Sequence, residues 1–241
     1  MRRTFRLKSY PMKKIISVIS FIFLISICLS AQKYKPVTVL AGTRVTDYFP
    51  AEVRYRYPDF VSGQVFFKNG SAGSNRFNYD LLRNEMLMIQ SSDTMIITKK
   101  KDIGFIAIAQ DTFIYNNGYL EVVHNGMVKV WMKQYIKMKE VLKRNAMGGL
   151  SHVVNSESYS GANDGSYWDM TPVDDVVFQK TVEFYIMDAE GQLVDFRKKI
   201  LLQLFPQKTI EIEGYLKKNK VNFESKEDVI RLAGFIDSII V

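Results

Sequence analysis

The sequence predicts a mainly β fold: an antiparallel meander, either a curled sheet or barrel-like, with a short C-terminal helical segment. Three observations predict it. Turn signals recur about every ten residues between Lys35 and Lys139, the spacing of short strands. Between the turns, apolar and polar side chains alternate with period two, most clearly from Val128 to Lys139. After Lys198 the apolar spacing changes to that of helices.

The elements follow in order. Val61 to Phe67 reads as a strand that turns at Lys68-Asn69-Gly70, where Asn-Gly suits positive φ at both central positions. Met86–Ile89 and Met95–Thr98 flank Ser91-Ser92-Asp93 as a second hairpin. Ile103 to Ala109 is apolar on both parities, which predicts a strand buried on both sides. Thr112–Tyr115 and Tyr119–Val123 are joined by Asn116-Asn117-Gly118, and Asn125-Gly126 marks the next turn. In the long strand after that turn, Val128, Val130, Met132, Ile136 and Met138 alternate with Lys129, Trp131, Lys133, Lys137 and Lys139, leaving one wetter face. Consecutive strands are expected to pair locally. Residues 146–175 break the pattern with glycine, serine and asparagine and read as a long loop. Val176–Met187 and Gln192–Phe196 form a last hairpin about Asp188-Ala189-Glu190-Gly191. Helices are expected over Lys198–Phe205, stopped by Pro206, over Thr209–Lys218, and after Ser225. There Ser225 and Asp228 have capping-box spacing, and Val229, Leu232, Ala233, Ile236 and Ile240 line one face, which packs on the sheet.

The N-terminus reads as an address. Met12-Lys13-Lys14 precedes an apolar run from Ile15 to Cys28, then Leu29-Ser30-Ala31-Gln32. A basic region, a short apolar core and a small residue form a secretory signal, with cleavage expected after Ala31. The apolar core is shorter than the roughly 20 residues a spanning helix needs. Ile27 before Cys28 argues against a lipoprotein signal. The expected organisation is a signal peptide with a basic extension over 1–31, an antiparallel β domain over 32–197 with its loop at about 146–175, and a helical tail over 198–241 packed on the sheet.

Charge excludes one class of partner. The chain carries +8 overall, but Arg2, Arg3, Arg6, Lys8, Lys13 and Lys14 all lie in the address. The mature portion is near +2, so nucleic acid is not expected, and the membrane is met only through the signal peptide. Cys28 is the single cysteine, so the mature chain has no disulfide and no thiolate metal site.

Chemistry is sparse. His124 and His152 have no second histidine at ligand spacing and read as surface residues. Asn163-Asp164-Gly165 lacks the other ligands of a calcium loop. No Gly-x-Ser-x-Gly elbow or phosphate-cradling loop is present. Metal and cofactor are therefore not expected. Tyr159, Tyr167 and Trp168, set among Ser, Gly and Asn, form the one binding candidate.

Gly63-Gln64-Val65-Phe66-Phe67-Lys68-Asn69-Gly70, Phe77-Asn78-Tyr79-Asp80, Leu201-Leu202-Gln203-Leu204-Phe205-Pro206 and Lys217-Lys218-Asn219-Lys220, with the Leu29–Gln32 junction, together resemble a group of small exported proteins of Bacteroidota that carry no assigned function. The resemblance implies export in a two-membrane bacterium, to the periplasm or outer membrane, and supplies no site residue. The leading expectation is a non-enzymatic β domain that binds an envelope protein or glycan. A carrier holding an apolar ligand inside a closed barrel is the first alternative. A hydrolase with spatially assembled carboxylates is the second.

Overall fold

The computed structural model describes residues 35–144, 150–153 and 169–240. The address and the aromatics at 159, 167 and 168 lie outside them. Twelve strands form one sheet: β1 (Val37–Val39), β2 (Val61–Phe67), β3 (Ala72–Asp80), β4 (Glu85–Gln90), β5 (Asp93–Ile96), β6 (Ile103–Ile108), β7 (Asp111–Tyr115), β8 (Tyr119–Asn125), β9 (Lys129–Arg144), β10 (Leu150–Val153), β11 (Asp175–Met187) and β12 (Leu193–Asp195). Two short helices, α1 (Val45–Tyr48) and α2 (Ala51–Arg54), precede β2. Three come after the sheet: α3 (Lys198–Leu204), α4 (Thr209–Asn219) and α5 (Lys226–Ile240).

The expected mainly β fold is what the chain forms. Every ladder is antiparallel, in the order β1-β11-β9-β8-β7-β6-β2-β3-β4-β5, with β10 on β9 and β12 on β11. The sheet is open, because β1 and β5 end the path at opposite sides and do not pair. Two local meanders, β2–β5 and β6–β9, are joined by a non-local ladder between β2 and β6. Most pairing is local, as expected; this ladder and that of β1 with β11 are non-local. The loop expected over 146–175 contains β10, and β11 begins at Asp175.

One face of the sheet is covered by two cores. The first gathers Phe77, Ile106, Ile108, Phe113, Tyr119, Ile136 and Phe178, with Val45 and Phe49 from the α1 region. The second sets Val229, Leu232, Ala233 and Ile236 of α5 against Val130, Met132, Phe184 and Ile186. The four α5 positions recur at i, i+3, i+4 and i+7, so one helical stripe meets the sheet. Ser225 caps α5, its Oγ accepting from Asp228 N at 3.3 Å. The Asp228 carboxylate does not complete a box. It accepts from Asn222 N at 2.8 Å and fastens the preceding turn instead.

Bulges decide which side chains turn inward. Phe66 pairs with Phe105 while Phe67 pairs with Ile103, so Gly104 is an extra residue. Ile103 therefore joins Ile106 and Ile108 on the core face, and Phe105 is left outside, 38% exposed and stacked on Phe66 at 4.4 Å. The strand expected to be buried on both sides has one open side. Lys139 is likewise extra between Phe178↔Met138 and Val177↔Glu140, which brings Val141 into the first core. Turn chemistry also differs from its residue types. Gly70 alone takes positive φ in its turn, while Ser91 and Ser92 both do, at 49° and 75°.

Candidate functional site

The outer face of β9, β11 and β12 carries the site. Register places Val122, Trp131, Tyr185 and Asp195 side by side across β8, β9, β11 and β12. One step along the ladder, Lys133 lies opposite Glu183. Strand pleating puts all of these on the face opposite Met132, Phe184 and Ile186, and Trp131 is nonetheless buried there, at 5% exposure.

Glu183 organises the aromatics. Its Oε1 accepts from the Tyr135 hydroxyl at 2.8 Å and its Oε2 from the Tyr185 hydroxyl at 2.7 Å. Both are charge-assisted hydrogen bonds, and together they pin two rings. Burial, and then the bond to Glu183, push the Tyr185 hydroxyl well above the ordinary tyrosine range, so it stays a donor. The Lys133 ammonium lies 5.4 Å from the Tyr135 ring centre and donates to the Asn117 carbonyl at 3.2 Å.

Two turns wall a hollow of about 440 Å³ beside Tyr185 and Lys133. One is the β7–β8 turn, which presents Asn116 and Asn117. Asn116 N donates to Gly118 O at 2.9 Å, with φ of 49° at Asn117 and 122° at Gly118. The φ of 122° calls for glycine at 118, and a Cβ there would also press on the side-chain ends Asn84 Nδ2 at 3.0 Å and Lys133 Cε at 3.1 Å. The other wall is the β11–β12 turn, which presents Gln192. Asp188 N donates to Gln192 O at 2.9 Å, and Gln192 N donates back to Asp188 Oδ1 at 2.7 Å. The floor is thus Tyr185, Leu120, Leu193 and the Lys133 stem, and the rim is amides.

Two further polar groups lie on the core face. Glu121, 3% exposed, stands where the two cores meet. Its Oε1 accepts from Lys226 Nζ at the start of α5, and its Oε2 from Arg56 Nε at 3.3 Å. Arg56 also donates to Asp111 at 3.1 Å, which takes the Tyr57 hydroxyl at 2.7 Å. Burial would lower the Arg56 pKa, but the Glu121 and Asp111 carboxylates outweigh it and hold it above the ordinary value. Every acid of this cluster holds a base or a hydroxyl, so it clamps the Arg56 segment and α5 to the sheet. Asp237 of α5 forms the second group. It accepts Val128 N–H on Oδ1 and faces His124 Nε2 with Oδ2, both at 2.7 Å. Burial pushes this carboxyl up, but the Val128 N–H and His124 outweigh it and leave it below the usual range. His124 is therefore engaged with the helix, not a free surface residue.

The sequence-predicted candidates Tyr159, Tyr167 and Trp168 lie outside the described residues. Just after them, Met170 packs against the first core and its carbonyl accepts from Val45 N at 3.0 Å. His152 lies in β10. Among the described residues no cluster of His, Cys, Asp and Glu is placed to hold a metal ion, and no helix is long and apolar enough to cross a membrane. Sequence reasoning missed Tyr135, Glu183 and Tyr185. The wetter face of β9 was the available signal, but its partners come from β11, 48 residues away in the Tyr135–Glu183 pair. Compared with family models, with curated proteins and with solved structures, the chain matches none.

Proposed function

We propose that this chain is an exported, non-enzymatic β domain that binds a component of the bacterial envelope through the outer face of β9, β11 and β12. One observation carries the reading. A carboxylate on the outer sheet face is committed to holding two tyrosine rings, and one of them, Tyr185, lines a hollow. Fixed aromatic surface rimmed by adaptable amides is the composition of recognition surfaces, since little ordering entropy is lost on binding. Export and an envelope location rest on the basic and apolar N-terminal pattern. The carrier alternative draws no support from the open sheet, whose core face is filled by side chains such as Phe77, Phe113 and Phe178. The clustered acids Asp111 and Glu121 are occupied by Arg56, Tyr57 and Lys226, so this cluster lends the hydrolase alternative no free pair.

Photo-crosslinking in intact cells tests the proposal. A benzophenone amino acid at the exposed rim position Gln192 abstracts C–H from protein and glycan alike. It should give a discrete adduct, and the same probe at exposed Ile210 on α4 should not. No adduct at 192, or equal adducts at both positions, would rule out this face.

A further inference from the structure

We infer that the ligand of this outer face is a neutral saccharide, seated on the Tyr185 ring between the Asn116-Asn117 and Gln192 turns. The inference rests on the reading of the face as a binding surface and names what it binds. Charge decides first. Both Glu183 oxygens are taken by tyrosine hydroxyls. The Lys133 ammonium is engaged by the Asn117 carbonyl and the Tyr135 ring, and Glu183 stands opposite it in the ladder. Asp195 is paired with Arg197. Lys133 is the one charged side chain in the lining of the hollow, and with its ammonium already held by the Asn117 carbonyl and Glu183 opposite it in the ladder, an anion gains little there and a cation is repelled.

The rim decides next. Asn116, Asn117 and Gln192 present side-chain amides, each able to donate and to accept. The φ of 49° at Asn117 explains an asparagine there by backbone alone. No such demand falls on Asn116 or Gln192, which are not among the positive-φ residues. A purely apolar ligand would leave these groups without partners, whereas a ring of hydroxyls matches them. A peptide adding a strand is disfavoured by the sheet itself, because β12 already occupies the β11 edge at Tyr185, Ile186 and Met187. The Tyr185 ring, held by Glu183, offers the flat surface on which the C–H face of a pyranose stacks. The hollow of about 440 Å³ accommodates roughly one or two sugar rings.

The test is a binding titration of the purified full chain by calorimetry and by glycan array. One arm holds neutral tetrasaccharides: β-linked N-acetylglucosamine, β-linked glucose and α-linked mannose. A second arm holds oligogalacturonate. Near-ultraviolet circular dichroism and melting temperature confirm that each variant is folded. At least one neutral tetrasaccharide should bind. Tyr185→Ala should weaken it at least tenfold and Gln192→Ala about fivefold, the worth of one hydrogen bond. Tyr185→Phe, which keeps the ring, should stay within about fivefold, and Ile210→Ser should change nothing. Binding of the acidic arm alone, or neutral binding unaffected by Tyr185→Ala, overturns the inference. If no neutral sugar binds while the Gln192 crosslink persists, the ligand class is wrong and the binding face stands. If both are lost, the functional reading falls with it.

Discussion

Replacing Gly126 by alanine gives a substitution whose cost depends on a second residue. Gly126 comes directly after β8, and its φ is not in the left-handed region. On backbone grounds alone, alanine there should stabilise by about 0.4–1 kcal/mol through the unfolded state. The structure forbids this. A Cβ at 126 would stand 1.8 Å from Asp237 Oδ2 and 2.8 Å from its neighbour in that contact, His124 Nε2. The carboxylate must leave, and both the Val128 N–H bond and the His124 contact go with it. Hydrogen bonds to a charged group contribute about 1.5–3 kcal/mol each, less where solvent reaches them, so Gly126→Ala should cost about 2–4 kcal/mol. In an Asp237→Ala background the worst clash is absent and only the tip of the His124 ring must shift. The same substitution should then lie within about 1 kcal/mol of neutral, giving a coupling of about 2 kcal/mol. Urea midpoints of the four proteins, compared at constant slope, measure it. Equal costs in both backgrounds would show that Asp237 does not occupy the space beside Gly126, and the account of the α5 anchor would be wrong.

Other perturbations test the same geometry. Glu121→Ala should destabilise by about 1–3 kcal/mol because it removes the buried acid shared by Arg56 and Lys226, although Arg56 keeps Asp111 and Lys226 can turn to solvent, and no measurable drop in melting temperature would contradict the clamp. Gly63→Ala would place Cβ 2.4 Å from the Ala107 carbonyl inside the β2–β6 ladder, whereas at Gly73 the nearest atom is Val65 Cγ1 at 3.6 Å; soluble yield should fall sharply for the first and hold for the second. Asp237 has its carboxyl pKa lowered in the folded protein, so its contribution is present above the unfolded value of about 3.9 and is lost as pH falls through the folded one. The stability gap between the natural chain and Asp237→Asn, followed by urea midpoints from pH 7 to pH 2.5, should therefore close in acid, and a gap independent of pH would refute the linkage. Tyr57, Tyr119 and Tyr185 all have hydroxyls pushed up, chiefly by burial; in an alkaline absorbance titration Tyr185→Phe should leave the early phase of ionisation unchanged.

What could be read from the residues was what depends on neighbours in sequence. Period two revealed β9, and i, i+3, i+4 spacing revealed α5, because pleat and helix impose those periods locally. The ladders of β2 with β6 and of β1 with β11 were hidden, since a strand's period records which face is apolar and not which strand pairs with it. The extra residues Gly104 and Lys139 were hidden too. Each flips the parity of the residues beyond it, which is why Phe105 was expected inside and stands outside. His124 looked solitary because Asp237 lies 113 residues away. The outer face was half legible: Lys133 belongs to a visible wet parity, Trp131 shares that parity yet is buried at 5% exposure, and only the register with β11 brings Glu183 and Tyr185 beside them.

The ladder between β1 and β11 sets an order of arrival. Val37 pairs with Phe178, so the first of the described strands waits for a partner about 140 residues downstream. At roughly 5–20 residues per second of synthesis, that wait is about 7–30 s. Glu121 also waits, for Lys226, before its second cation reaches it. Throughout that interval β6, β7, β8 and β9 can assemble with their neighbours, while the Val37–Val39 edge and the surface destined for α5 stay uncovered. Among the described elements, α5 is the one whose arrival closes the second core. A stop codon before Lys226 would release a nearly complete sheet with an open apolar face, a substrate for chaperones and proteases instead of a shortened but working protein.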